Sequence, residues 1–348
     1  MTEMLCIGNP MVDVFIKMDK VLAKKYGIND AVQNISSEQA ESILKEPSIN
    51  FNLADSVKSS GGGAANVAKI AAILGMDAAF IGCTGQDELA EIFEEEMTKA
   101  GVSVNLIKTN EKTGLCFACD VEGELRFAAS QGAALELNES HITEKLITSA
   151  ETLVLDGYIL DRRSLVQHIL LMASHKGIPV ALDAASVLQV RSKAEEILTY
   201  SRGYPLFVFM NADETITFYN TIRKTVDEEF PVTEKEKETL ILRDICPMLK
   251  IITDGEIYPI IVVKLGGRGA LVVAGGNVYS EETFAIIPRN TVGAGDAFCA
   301  AFVSAWIRGK SLSECASLGN KVAREVLEVP GTHIKSGKIK SFAKILQK

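Results

Sequence analysis

Short apolar runs and longer amphipathic segments alternate along most of this chain. Strand-like runs occur in "MLCIG", "DAAFIGCTG", "TLVLDG", "IPVALDA" and "LFVFMN". Between them lie segments with apolar residues at helical spacing, such as "AANVAKIAAILG", "ELAEIFEEEMTKAG" and "RSLVQHILLMASHKG". Such alternation is typical of a mostly parallel sheet that is covered by helices on both faces. The sequence therefore predicts an α/β fold, a three-layer sandwich of the Rossmann type.

Two regions interrupt this alternation. Residues 13–36 include "DVFIKMDK" and "INDAVQNIS", and residues 113–130 read as two strands joined by a Glu-Gly turn, "TGLCFACDVEGELRFAAS". Neither region suits a central strand of a parallel sheet. We predict that they form a small β-sheet lid over the α/β core, within a single domain of residues 1–348.

The composition limits the classes of function. Of the 348 residues, 47% are hydrophobic and 23% are charged, which suits a full-sized core and is atypical of disorder. The net charge of −9 disfavours nucleic acid or an anionic membrane as the main partner. The N-terminus lacks the pattern of a signal peptide, and no apolar run approaches ~20 residues. We expect a cytoplasmic protein, a monomer or a homodimer, that acts on a small molecule.

The cysteines and histidines do not indicate a metal site. Cys116 and Cys119 have CxxC spacing, but residues three apart on a strand point to opposite faces of the sheet. No second CxxC pair completes a zinc site. We therefore expect the seven cysteines to be structural. The four histidines also lack metal-ligand spacing and are expected at the surface or in packing: His141, His168, His175 and His333.

The most informative motif is "TVGAGDAF" at residues 291–298, since P-loop, GxGxxG and protein-kinase motifs are all absent. Gly293, Ala294 and Gly295 lead into a helical pattern. The free N–H groups of a helix N-terminus bind anions, and glycines let a phosphoryl group approach the backbone. Asp296 would then lie beside the phosphoryl group and accept a hydroxyl proton. Taken alone, an aspartate in a first helical turn is equally a common helix stabiliser.

Three further motifs occur in a fixed order with this one: "GGGAANVAKIAAILG", "MNADE" and "VKLGGRGALV". Together the four resemble the ribokinase-like family of carbohydrate and nucleoside kinases, also called the phosphofructokinase-B family. The resemblance spans about residues 4 to 333. It implies a ribokinase-like fold and a phosphotransferase that uses ATP and Mg²⁺. The γ-phosphate would pass to a primary hydroxyl of a sugar or nucleoside.

The resemblance also implies roles for individual residues. Asp296 is the expected catalytic base, and Gly293, Ala294 and Gly295 form the expected anion hole. The resemblance places six residues at the acceptor or reaching over it from the lid: Asn9, Asp13, Gly62, Gly63, Asn66 and Arg126. It places six others at the nucleotide: Asn211, Glu214, Lys264, Gly266, Gly269 and Asn320. Glu214 is the expected magnesium ligand, through water.

Each of these motifs also has a plainer interpretation when it is taken alone. Gly61–Gly63 would be a loop before a helix, Asn211 a helix cap, and Asp13 a solvated lid residue. A catalytically silent nucleoside-binding protein stays open, although it has no need of Asp296 together with Asn211 and Glu214. A dehydrogenase is disfavoured because the dinucleotide fingerprint is missing.

The identity of the phosphoryl acceptor rests on weaker features. "IGNPMVD" and the segment that follows it, within the first 45 residues, resemble the adenosine kinase branch of the family. This favours adenosine or a related nucleoside. "GGGAANVAKIAAILG" is equally similar to sugar kinases, so ribose, fructose or a similar sugar is the alternative.

One departure from the family pattern concerns a monovalent cation. The family usually has an aspartate where this chain has Asn290, and in relatives that respond to potassium this aspartate helps to bind the ion. An amide oxygen lacks the charge of a carboxylate. We therefore expect only a weak response to potassium.

Overall fold

The computed structural model describes residues 2–29, 32–49, 58–224, 233–255, 258–286, 292–328 and 336–346. The strands are β1 (Thr2–Ile7), β2 (Met11–Met18), β3 (Val32–Asn34), β4 (Lys58–Gly61), β5 (Ala78–Thr84), β6 (Ser103–Lys108), β7 (Gly114–Val121), β8 (Glu124–Ser130), β9 (Ala150–Asp156), β10 (Val180–Asp183), β11 (Leu206–Asn211), β12 (Ile260–Lys264), β13 (Ala270–Ala274) and β14 (Asn277–Glu281).

The α-helices are α1 (Lys20–Lys25), α2 (Ser37–Leu44), α3 (Gly63–Ile73), α4 (Glu88–Lys99), α5 (Glu144–Ile147), α6 (Arg163–His175), α7 (Val187–Gly203), α8 (Ala212–Arg223), α9 (Glu234–Leu240), α10 (Cys246–Ile252), α11 (Ala294–Ile307), α12 (Leu312–Leu327) and α13 (Ser336–Leu346). None of the helices in the described part of the chain is long and apolar enough to cross a membrane.

The larger sheet has nine strands in the order β14-β13-β12-β11-β10-β9-β1-β5-β6. The pairings from β12 through β6 are parallel, and only β13 and β14 are added antiparallel. Both faces are covered, so strands such as β9 are buried almost throughout. The predicted α/β fold with a mostly parallel sheet is confirmed.

Helix α11 is the most buried helix of the core. It is apolar on nearly all sides and packs between α12 and α3. Phe302 meets Phe209 edge to face, and Trp306 meets Phe207 in the same way. This packing fixes the N-terminus of α11 at the carboxyl edge of the sheet.

The smaller sheet, called the lid sheet below, has the order β3-β8-β7-β2-β4. Both predicted lid regions contribute strands to it. Strand β4, which pairs antiparallel with β2, was not predicted because its sequence, "KSSG", has no apolar alternation. Cys116 is half-buried and Cys119 is buried, on opposite faces of β7, and neither forms a disulfide.

Candidate active site

The carboxyl ends of five parallel strands meet at one edge of the large sheet. Strand β1 leads into Gly8 and Asn9, and the next three strands end in polar residues, Asp156 on β9, Asp183 on β10 and Asn211 on β11. Strand β12 ends in a lysine, Lys264. Ligands of open α/β sheets bind at this edge. Residues that are far apart in the sequence are therefore gathered around one cleft.

The N-terminus of α11 opens onto this cleft. Its N-cap, Gly293, has a φ of 79°, and no side chain caps the first turn. The N–H groups of this turn are thus left for an anion. A Cβ atom on Gly295 would lie 3.2 Å from Lys264 Nζ, so the ammonium group stands directly beside the turn. The turn that was expected to form the anion hole thus has no side-chain cap and has a lysine next to it.

Asp296 lies in the first turn of α11, where a side chain from helix α3 contacts it. Asn66 Nδ2 donates a hydrogen bond of 2.8 Å to Asp296 Oδ2. Burial and the charge of Asp183 raise the pKa of Asp296 to about 7, against the opposing effects of Asn66 and Lys264. A carboxyl group with a pKa near neutrality suits general base catalysis.

Lys264, Asp183 and Glu214 form a charged cluster behind the anion hole. Lys264 Nζ lies 2.5 Å from Asp183 Oδ2. Burial lowers the pKa of Lys264, but the charges of Asp183 and Glu214 outweigh it, so the lysine stays protonated. Burial, followed by the charge of Asp183, raises the pKa of Glu214 to about 7. With both carboxylates ionised, the cluster carries more negative than positive charge, next to the N-terminus of α11.

Asn211 and Glu214 hold each other at the start of α8. The Asn211 backbone N–H donates to Glu214 Oε2 at 2.7 Å, its amide donates to Glu214 Oε1 at 2.8 Å, and its Oδ1 accepts from the Glu214 N–H. This is a capping box, so the cap interpretation of Asn211 holds. It does not exclude a site role, because the box also fixes Glu214 beside Asp183 and Lys264.

Glu214 and Asp183 supply the hard oxygen ligands that Mg²⁺ prefers. Among the described residues, no group of three or more His, Cys, Asp and Glu side chains is arranged to hold a metal ion. Mg²⁺ commonly binds through one or two carboxylates together with the phosphates of a substrate. The oxygen donors and the surplus negative charge of the cluster fit such an ion.

A cavity of about 440 Å³ lies between α11, α12 and the strands β12 to β14. Its lining includes five of the residues that were expected at the nucleotide: Asn211, Lys264, Gly266, Gly269 and Asn320. We call it the donor cavity. Ala294 and Gly295 of the anion hole line one part of it, and apolar side chains such as Phe284 and Leu327 line another. This combination of a cationic, polar part and an apolar part of the lining fits a ligand with an anionic end and an apolar ring.

Asp13 lies on lid strand β2, against the glycine-rich segment that leads into α3. A Cβ atom on Gly61 would lie 2.3 Å from Asp13 Oδ2, so only glycine fits there. Burial raises the pKa of Asp13 to about 6; Lys69 lowers it and Glu96 raises it. Gly63 lies against Asp296, since its Cβ would be 3.6 Å from Asp296 Oδ1. Gly63 and Asn66 therefore contact Asp296, and Asp13 packs against Gly61 in the same segment.

Arg126 does not reach the cleft in this structure. In the lid sheet Asp13 pairs with Cys116, whereas Arg126 pairs with Cys119, three residues further along β7. An offset of three residues places the two side chains on opposite faces. Arg126 donates to the Ile28 carbonyl at 2.9 Å and pairs with Glu124. The expectation that Arg126 reaches over the acceptor from the lid is not supported by this geometry.

Asn9 is only 4% exposed, and its amide is held by other side chains of the protein. Asn290, with the rest of residues 287–291, lies outside the described residues, and so does His333. His168 bonds the Ile142 carbonyl and His141 bonds the N–H of Asn138, so both have the packing roles that were expected.

Three groups around the cleft were not predicted from the sequence. Asp183 and Asp156 close the strand patterns "IPVALD" and "TLVLD", and an acid at the carboxyl end of a parallel strand is the signal that would have identified them. Lys69 is 8% exposed on α3, where its ammonium donates to the carbonyl and hydroxyl oxygens of Ser60. A lysine within the otherwise apolar run "NVAKIAAIL" could likewise have indicated this buried ammonium group.

Fold and site together define a kinase of small molecules. The family model described as pfkB family carbohydrate kinase matches residues 29–338, and the chain belongs to this family. It is thus a phosphotransferase with an alcohol group as acceptor, a carbohydrate or nucleoside kinase, as the motifs had indicated.

Individual relatives differ in the substrate that their names give. An adenosine kinase from Schizophyllum commune is 24% identical over 97% of this chain and 98% of its own. A 5-dehydro-2-deoxygluconokinase from Bacillus subtilis is 24% identical over 77% of this chain and 80% of its own. The crystal structure of adenosine kinase from Sinorhizobium meliloti has a TM-score of 0.80, 24% identity and 99% coverage of both chains. The structural similarity establishes the ribokinase-like fold.

Proposed function

We propose that the protein is an ATP-dependent kinase that phosphorylates a primary hydroxyl of adenosine or a related nucleoside. The observation that carries this proposal is the position of Asp296. It lies on the anion-binding turn of the donor cavity and against Gly63, and Gly61, two residues earlier, packs against Asp13 of the lid. A phosphoryl group at the turn and a hydroxyl near Asp13 would meet at this carboxylate.

Each group of site residues then has its own role in an in-line phosphoryl transfer. Gly293–Gly295 and Lys264 neutralise charge on the transferred group. Asp296, held by Asn66, takes the proton of the hydroxyl as its oxygen bonds to the γ-phosphorus and the bond from that phosphorus to the leaving oxygen of ADP breaks. A positioned base contributes roughly 10²–10⁴ in rate, and positioning with electrostatic stabilisation accounts for the remainder. Asp13 holds further hydroxyls, which fixes the orientation of the acceptor.

Glu214 would hold Mg²⁺, through water, with Asp183 as the adjacent carboxylate. The ion supplies charge neutralisation at the donor phosphates when it is bound. Asn211 keeps the Glu214 carboxylate in place through two hydrogen bonds. For the cation site expected near Asn290 we propose only a weak dependence on potassium.

The charges around the acceptor support an uncharged substrate. Within the described residues, the cations nearest to it are already engaged: Lys69 by Ser60, Lys264 by Asp183, and Arg162 by Asn9 and Ala134. Burial raises the pKa of Asp13, Asp156 and Asp296, and each of these carboxyl groups adds a negative charge whenever it is ionised. A sugar acid would meet repulsion here. This favours a nucleoside or a neutral sugar over an acceptor such as the one that the Bacillus subtilis relative is named for.

Formation of ADP should be measured with Mg²⁺ and ATP across adenosine, inosine, cytidine, ribose, fructose and gluconate. We expect the highest kcat/KM with adenosine or another purine nucleoside. Higher values with a free sugar would replace the nucleoside by a sugar acceptor. Tight binding of nucleosides without any turnover would indicate a silent binding protein instead.

A further inference from the structure

Four segments connect the lid sheet to the α/β core. They are residues 8–10, Gly62, residues 109–113 and Gln131. Asn9 lies where three of them meet. Its carbonyl oxygen packs against Gly62, where a Cβ atom would lie 2.2 Å away, and its amide nitrogen donates to Gln131 Oε1 at 3.4 Å. The backbone N–H of Asn9 donates to Asp156 Oδ2 at 3.3 Å. Asn9 is thus the common contact of the lid connections.

Arg162, which belongs to the α/β core, forms hydrogen bonds to the lid connections around Asn9. Its Nη2 donates to Asn9 Oδ1 at 2.5 Å, and its Nη1 donates to the carbonyl oxygen of Ala134. One planar guanidinium group therefore binds both Asn9, in the connection of residues 8–10, and Ala134, three residues after the connection at Gln131. Lysine cannot replace this geometry, because a single ammonium nitrogen does not present two fixed, parallel donors.

The bond to Arg162 decides which way the Asn9 amide faces. A guanidinium group only donates, so the amide oxygen must point to Arg162 and the amide nitrogen must point away from it. That nitrogen carries two hydrogens, and Gln131 takes one. No hydrogen-bond acceptor in the described segments takes the other. Asn9 follows β1 at the carboxyl edge of the sheet, so this second N–H is left to donate to a molecule bound in the cleft.

We propose that Arg162 is a positioning residue for acceptor binding: it orients the Asn9 amide so that its second N–H serves the acceptor molecule. The inference rests on the proposed function for its substrate, although the orientation of the amide itself does not. Asn9 keeps the binding role that the sequence implied, and Arg162, which no motif indicated, is what fixes the amide in that role.

The kinetic test compares Arg162→Lys, Asn9→Ala and the double variant. Arg162→Lys retains the positive charge beside Asp156, so it should fold. We expect it to raise the KM of the acceptor about five- to tenfold, with kcat and the KM of ATP changed less than about threefold. In the Asn9→Ala background the same substitution should have no further effect on KM. Arg163→Lys, at the exposed neighbouring residue, is the matched control and should leave all constants unchanged.

Additive effects of Arg162→Lys and Asn9→Ala, or an unchanged KM in Arg162→Lys, would overturn the proposal. A second measurement needs no substrate turnover: the side-chain ¹⁵N–¹H signals of Asn9 in protein labelled at asparagine. They should shift and exchange faster with water in Arg162→Lys but not in Arg163→Lys. Unchanged signals would also overturn the proposal. Shifted signals in a protein that phosphorylates none of the tested acceptors would contradict the proposed function and leave the orienting role of Arg162 supported.

Discussion

Asn66 and Asp296 join the first turns of two helices across the cleft. Asn66 Nδ2 on α3 donates to Asp296 Oδ2 on α11 at 2.8 Å, although the residues are 230 positions apart. The bond stabilises the charged form of a carboxyl group that burial pushes toward the neutral form. Asn66 therefore tunes the proposed base as well as lying beside the acceptor.

Asn66→Ala should move the acid limb of the pH profile to higher pH. The base must be deprotonated to act, so kcat/KM for the acceptor should rise with pH through the pKa of Asp296, about 7. Removing a donor to the charged form raises that pKa further. Asn105→Ala, at an exposed residue of β6, is the control. An acid limb at the same pH in Asn66→Ala and the parent protein would show that this bond does not control the base.

Asp296→Asn should lower kcat by at least about a hundredfold, because an amide cannot accept the hydroxyl proton. The affinity for ADP, measured by calorimetry, should stay within a few-fold of the parent value, since the N–H groups of the anion hole remain. Near-normal turnover in this variant would remove Asp296 from the mechanism.

The sequence predicted the parts of this site that obey local rules. The turn Gly293–Gly295 before a buried helix and the strand-helix alternation are local patterns, so the anion hole and the parallel sheet followed from them. Family motifs added Asp13, Asn66 and Glu214. In each case the prediction concerned where a residue lies along its own element.

The parts that the sequence could not provide depend on contacts between distant elements. The face on which Arg126 lies depends on the register of β8 against β7, which the whole lid sheet sets, and a single residue of offset reverses the face. Arg162 follows a short helical turn with no pattern of its own, and its importance comes only from Asn9 and Ala134. Strand β4 forms because Asp13 and its neighbours pair with it.

Asp13→Asn should raise the free energy of unfolding and weaken binding of the acceptor. The pKa of Asp13 is raised from 3.8 to about 6, so the folded protein holds this proton more tightly than the unfolded chain. The group therefore favours folding fully below pH 4 and loses that contribution as the pH rises through 6. At pH 8 the neutral asparagine should raise the free energy of unfolding by about 1–3 kcal/mol, with no gain below pH 4.

Urea titrations of Asp13→Asn at pH 4, 6 and 8 measure this effect, with Glu91→Gln at an exposed residue of α4 as the control. The same Asp13→Asn variant should raise the KM of the acceptor about tenfold through the loss of charge-assisted hydrogen bonds. A stability gain that does not depend on pH would contradict the raised pKa, and an unchanged KM would show that Asp13 does not bind the acceptor.

Lys264→Met should destabilise the protein, and Asp183→Asn should partly restore it. Lys264 and Asp183 are 14% and 13% exposed, so removal of the lysine leaves a nearly buried carboxylate without its partner. Breaking a buried pair in this way costs about 3 kcal/mol or more, whereas removing both charges costs much less. Free energies of unfolding should therefore rank the parent first, then Lys264→Met/Asp183→Asn, then Lys264→Met. The KM of ATP should rise at least about tenfold in both variants, because both lack the ammonium group beside Gly295. Equal stability of the single and double variants would show that Asp183 does not depend on Lys264, and a normal KM for ATP would separate Lys264 from the donor phosphates.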